Sequence, residues 1–165
     1  MRFIYKSKKK KGTPKPVPVA KLVWPQPPQR PRVRYVGEIT SVEQFQGQQK
    51  KRGWMDRVAG VKEANAQTHL LKPYGVAADS RGRVYVADGA NRLVFVFDQT
   101  NRKVEYRGHR APAQMALPVG VAVDDRDRLF VSDSYFHQVN CFSPEGELLG
   151  VFGGDQLARA AGVAV

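Results

Sequence analysis

Leu71-Lys72-Pro73-Tyr74-Gly75-Val76-Ala77-Ala78-Asp79, then Arg83-Val84-Tyr85-Val86-Ala87-Asp88, then Leu93-Val94-Phe95-Val96-Phe97-Asp98 decide the reading of this chain. Three short apolar runs each end on an aspartate, and the pattern returns. Pro73 to Asp79 comes back as Pro118-Val119-Gly120-Val121-Ala122-Val123-Asp124, and Val84 to Asp88 as Leu129-Phe130-Val131-Ser132-Asp133. Both returns lie 45 residues on, and a third copy opens at Gly162-Val163-Ala164-Val165.

Runs of this length, rich in Val, Phe and Tyr and bounded by Asp, Ser and Gly, are strands. Each copy reads as four of them: 74–79, 83–88, 93–98 and 103–107, then 119–124, 128–133, 138–143 and 147–152. Asp79-Ser80-Arg81-Gly82, Asp124-Asp125-Arg126-Asp127 and Ser143-Pro144-Glu145-Gly146 supply the Asx- and Ser-type chemistry of tight turns. The first strand of each copy is small and apolar, as an inner strand crowded around an axis must be. Leu93 to Phe97 is apolar without alternation, so both of its faces should be covered. A four-stranded sheet covered by copies of itself at a 40–50-residue period is a propeller blade. The fold class expected is all-β.

The same residues resemble the NHL-type repeat, whose pattern runs Leu-x-x-Pro-x-Gly-Val-Ala-Val-Asp, a Leu-Tyr-Val-Ala-Asp strand, an Asn-His-Arg-Val turn and Val-Phe-Asp. Leu70, Pro73, Gly75, Val76, Ala77, Asp79, Asp88, Asn91, Phe97 and Asp98 follow it in the first copy. Pro118, Gly120, Val121, Ala122, Val123, Asp124, Asp133, His137, Val139 and Phe142 follow it in the second. Phe136 stands where Asn is usual, Asn140 interrupts a strand, and Ala161 is read in place of the third proline. The resemblance implies an NHL-type, six-bladed β-propeller. A six-bladed ring at this repeat length takes about 270 residues, whereas 70–165 supply 96. The expectation is therefore an incomplete ring: two blades, part of a third, and a chain that is the N-terminal part of something longer. The resemblance also implies closure by strands from both chain ends, with 32–39 as the outer strand of the last blade.

Outside the repeats the character changes. The chain carries 27 Lys and Arg against 15 Asp and Glu, a net +12. Residues 1–60 hold 15 of those bases and three acids, which is the whole excess; 61–165 are balanced at 12 each. Residues 1–31 read as a basic, Pro-rich, disordered arm. Prolines 14, 16, 18, 25, 27, 28 and 31 remove donors and lock φ, so both helix and sheet are excluded from 6–34. Residues 32–69 read as that outer strand followed by one or two short helices. Val42, Phe45, Trp54, Met55 and Val58 sit at helical spacing, and the second helix is expected at 53–59.

The N-terminus shows no apolar core of a secretory signal, no lipobox-like cysteine and no membrane span. The segment from Trp24 to Tyr35 nevertheless resembles the Pro-rich start of bacterial cell-envelope NHL-repeat proteins. Location is thus left as envelope by resemblance, or cytoplasmic if the start is as written. Cys141 is single and lies in a strand pattern, so it reads as a buried small hydrophobe.

Function is less legible. Propellers bind through the loops that enter the inner strand and those joining second strand to third. Lys72, Tyr74, Asn91, Arg92, Tyr135, Phe136 and His137 fall in those loops and are the candidate contacts. Asp88, Asn91 and Asp133 also read as turn caps acting through side-chain-to-backbone bonds. The expected role is a non-enzymatic binding or scaffold protein with a protein or peptide partner and no cofactor. Two alternatives come from the resemblance. One is RNA binding on a basic propeller face, which the balanced charge of 61–165 disfavours. The other is a metal-dependent lyase, for which His69, His109 and His137 are neither repeat-equivalent nor at ligand spacing. Lys8, Lys9, Lys10 and Lys11 would be drawn to an anionic surface.

Overall fold

The computed structural model describes residues 22–46 and 69–165, which fall in two compact units, Met1–Glu38 and Ile39–Val165. In the first, β1 (Val23–Trp24) pairs antiparallel with β2 (Val33–Arg34). Arg32 N–H donates to the Trp24 carbonyl at 2.8 Å and Tyr35 N–H to the Leu22 carbonyl at 2.9 Å. One sequence expectation is corrected here. Sheet is not excluded from the Pro-rich stretch, because Pro25, Pro27, Pro28 and Pro31 lie between the paired residues and the four paired residues keep their N–H groups. Within 32–39 the strand described is β2, two residues long and paired with β1; the blade in which 32–39 is expected as outer strand lies outside this chain. The lysine run and the helix expected at 53–59 lie outside the described residues.

The second unit opens with α1 (Val42–Gln46), whose start is set by local hydrogen bonding. Ser41 Oγ accepts from Gln44 N–H at 3.1 Å, while Gln44 Oε1 reaches back to Thr40 N–H at 2.9 Å. Then come the two sheets. Strands β3 (Pro73–Ala78), β4 (Arg83–Asp88), β5 (Leu93–Asp98) and β6 (Lys103–Arg107) follow one another antiparallel as blade 1. Strands β7 (Pro118–Val123), β8 (Leu129–Asp133), β9 (Gln138–Phe142) and β10 (Leu148–Gly153) do the same as blade 2. The described residues are thus nearly all β, and each strand lies within a residue or so of its expected position. Even the irregularities repeat: the register shifts between Pro73 and Val76 and again between Pro118 and Val121.

The blades pack face to face. Tyr85, Ala87, Val94 and Val96 of blade 1 meet Val121, Leu129, Val131 and Phe142 of blade 2 in one apolar cluster with Met115. The other face of blade 1 (Val86, Leu93, Phe95, Phe97) is covered by Phe45 of α1, with Ile39, Val42 and Leu70 around it. Strand β5 is consequently buried on both faces, which is why its sequence does not alternate. Cys141 is buried, as its strand pattern implied, and burial pushes its thiol pKa up.

Inner strands approach closely enough to require glycine. A Cβ on Gly75 would lie 2.5 Å from the Val119 carbonyl oxygen, and one on Gly120 would lie 2.6 Å from that of Ala161. Residues 161–163 therefore sit on β7 as β7 sits on β3, so the third copy begins where the sequence placed it. The same equivalence corrects one detail. Gly162 matches Gly75 and Gly120, so the residue at the proline position is buried Ala160, not Ala161. Val76 on β3 and Phe152 on β10, near the two ends of the stack, are 69% and 57% exposed.

Candidate functional site

At one end of the blades, two buried aspartates organise the loops. Asp88 closes β4 and accepts backbone N–H groups from both neighbouring loops. Leu71 donates at 2.6 Å and Lys72 at 3.0 Å from the entry to β3, and Ala90 and Asn91 each at 3.0 Å from the β4–β5 turn. Asp133 repeats this one blade on. It takes Ala116 at 2.7 Å and Leu117 at 3.2 Å, with Tyr135 at 2.9 Å and Phe136 at 3.1 Å. A backbone bond seconds each clamp, Gly89 N–H to the Lys72 carbonyl and Ser134 N–H to the Leu117 carbonyl. Both carboxylates are fully buried and act as the turn caps that their spacing implied.

These clamps position the candidate contacts. Arg92 and His137 occupy equivalent turn positions with φ of 57° and 56°, a left-handed geometry that reverses the chain and leaves both side chains exposed. Arg92, Tyr135 and Phe136 come together with Gln114, Met115 and Ala116 around a cleft of about 400 Å3. Tyr135 and Phe136 meet edge to face at 5.2 Å while 68% and 45% exposed. Met115 is buried at the cleft wall, its N–H bonded to the Gly108 carbonyl at 2.9 Å.

The other candidates lie elsewhere. Lys72 sets its ammonium 5.3 Å from the Tyr74 ring centre, a cation–π pair of its own. Asn91 commits its amide to the His69 carbonyl at 2.9 Å and so acts in the loop's architecture. His137 gives its carbonyl to Gly154 N–H at 2.8 Å and is not among the cleft residues. Gln114, Met115 and Ala116 were not singled out from sequence. The sequence does place their segment, 109–117, among the loops of this face, but nothing in their residue types marks them as contacts.

The histidines stand apart. His69 Nε2 is 3.9 Å from Glu43, and His109 packs against Tyr106 at 6.0 Å. Burial, then the nearby Arg110 and Arg107, lowers the His109 pKa. Among the described residues, no three His, Cys, Asp or Glu side chains are grouped to share a metal ion. Among those residues, too, no helix is long and apolar enough to cross a membrane.

Residues 70–97 match the family model of the NHL repeat. No curated protein matches. Similar solved structures include virginiamycin B lyase from Staphylococcus aureus, at 17% identity over 56% of this chain and 31% of that one, TM-score 0.46. A streptogramin B lyase matches at 15% identity over 51% and 27%, TM-score 0.44. The hydrazine synthase of Kuenenia stuttgartiensis matches at 16% identity over 64% and 29%, TM-score 0.48. The chain spans less than a third of the length of each. It carries an NHL repeat within two blades of propeller type.

Proposed function

We propose that this NHL-repeat chain is a binding or scaffold protein that holds a protein or peptide partner at the loop end bearing the Asp88 and Asp133 clamps. The observation that carries the reading is the cleft of Arg92, Tyr135 and Phe136. Tyr, Phe and Arg are residue types that protein interfaces enrich: the aromatics bury much surface with only two side-chain torsions to fix, and Arg adds a planar fork of charged donors. Here two of them stand exposed beside a concavity, on loops already fixed by buried carboxylates, so ordering the loops costs little at the moment of binding. Surface aromatics on a monomer are otherwise scattered, not paired at a cleft.

Selection from a random peptide-display library tests the proposal. Binders are expected that lose affinity on Phe136→Ala or Tyr135→Ala and keep it on Leu149→Lys, a change on exposed β10 outside the cleft. A library that returns no binder, or only binders indifferent to both aromatic truncations, overturns it.

A further inference from the structure

We infer that the cleft between the blades takes a peptide segment in which a carboxylate side chain lies next to an aromatic or large aliphatic one. This rests on the binding reading above and specifies the ligand. The first argument is charge. Arg81, Arg83, Arg107 and Arg128 each have a carboxylate partner. Arg92 has none among the described residues, as is true of Arg110 and Arg126, but it alone of these three lines the cleft, on a backbone fixed in a left-handed turn. The two acids nearest in sequence to the cleft loops, Asp88 and Asp133, are no substitute. Each is buried and takes N–H groups from four residues, so their lone pairs point into their own loops. A guanidinium so placed is complementary to an incoming carboxylate, which can accept two parallel N–H bonds from it.

Shape supplies the second argument. The cleft volume of about 400 Å3 lies within the ~300–1,000 Å3 of ligand pockets. Its walls are divided: Met115, Tyr135 and Phe136 are apolar, whereas Arg92 and Gln114 are polar. An apolar side chain packing on Tyr135 and Phe136 would cover their exposed rings, and the Gln114 amide can bond a peptide N–H or carbonyl. RNA fits less well. Nucleic acid affinity comes from several phosphate contacts, whereas the cleft holds one cation, and its two rings meet edge to face instead of offering parallel stacking platforms.

The experiment is fluorescence polarisation on the full chain with three labelled probes: the peptides Gly-Phe-Glu-Phe-Gly and Gly-Phe-Lys-Phe-Gly, and a uridine octanucleotide. The glutamate peptide is expected to bind about tenfold more tightly than the lysine peptide. Arg92→Gln should erase that difference and Arg92→Glu should reverse it. Phe136→Ala should weaken both peptides equally. Thermal melts of each variant near that of the parent establish that the fold is kept. Equal binding of both peptides, with library-derived peptides still dependent on Phe136, overturns the carboxylate preference and leaves the binding reading standing. Failure of every peptide overturns both, and tighter binding of the octanucleotide replaces the peptide with a nucleic acid.

Discussion

Asp88 and Asp133 show how one residue type can set a whole loop. A carboxylate buried among N–H donors satisfies groups that no strand or turn would otherwise pair. Truncation removes the acceptor and leaves those donors buried, each at roughly 1–3 kcal/mol before the loop relaxes. Asp88→Ala and Asp133→Ala are therefore each expected to cost at least about 3 kcal/mol of stability in urea unfolding. The control is Asp125→Ala, whose exposed side chain sits mid-turn and should change stability by less than about 0.5 kcal/mol. If the two clamps prove no costlier than the control, loop order comes from elsewhere. The clamps also explain why only part of the cleft was legible in sequence. Tyr135, Phe136 and Arg92 stand out by type, and turn chemistry puts them in loops. Gln114 and Ala116 reach the cleft through the Asp133 bond to the Ala116 N–H, a backbone group that carries no mark of residue type.

Strands and turns were readable because each blade is built from neighbours in sequence. Antiparallel pairing through short turns writes itself as alternating runs and Asp or Gly at fixed offsets, so the 45-residue copy reproduced even the register shift. α1 is different. Its helical spacing is visible in Val42 and Phe45, but what it covers is a long-range fact. Phe45 meets Phe97 edge to face at 5.1 Å, and the Arg102 guanidinium lies 4.8 Å from the Phe45 ring centre. The helix thereby covers a blade face that would otherwise be apolar and open. Removing a buried aromatic leaves a cavity as well as losing transfer energy, so Phe45→Ala should destabilise by about 3 kcal/mol or more. It should also raise binding of a hydrophobic dye under native conditions, as Phe95 and Phe97 become reachable. Loss of stability without dye binding would mean that the face recloses. The hairpin of β1 and β2 marks the opposite limit. There proline density points away from sheet, yet the spacing of the prolines around Val23, Trp24, Val33 and Arg34 leaves the ladder free.

The two blades are joined differently at their two ends. One end opens into the cleft. The other is tied by polar groups that cross from blade to blade. Asp127, at φ 59°, occupies the position that Gly82 holds in the first copy and turns its carboxylate toward blade 1. There it accepts Ser80 N–H at 2.9 Å and Ser80 O–H at 2.7 Å, with Arg81 Nε 3.5 Å away. Arg83 adds a bond across to the Pro144 carbonyl. Ser80 and then its backbone N–H, helped by Arg81, hold the Asp127 pKa below the ordinary 3.8. A depressed carboxylate pKa means that the charged form prefers the folded state. The stabilisation is whole above the unfolded value of about 3.9 and is lost as pH falls through the folded one. The blade-to-blade tie should therefore loosen in acid while the apolar contact between Val94, Val96, Leu129 and Val131 is untouched. Urea midpoints measured from about pH 6 down to about pH 2 check this against Asp127→Asn. The parent should exceed the variant at the upper end, and the gap should close on acidification as Asp127 protonates. A gap that persists unchanged to the lowest pH would show that the acceptor pattern facing Ser80, and not the carboxylate charge, ties the blades together.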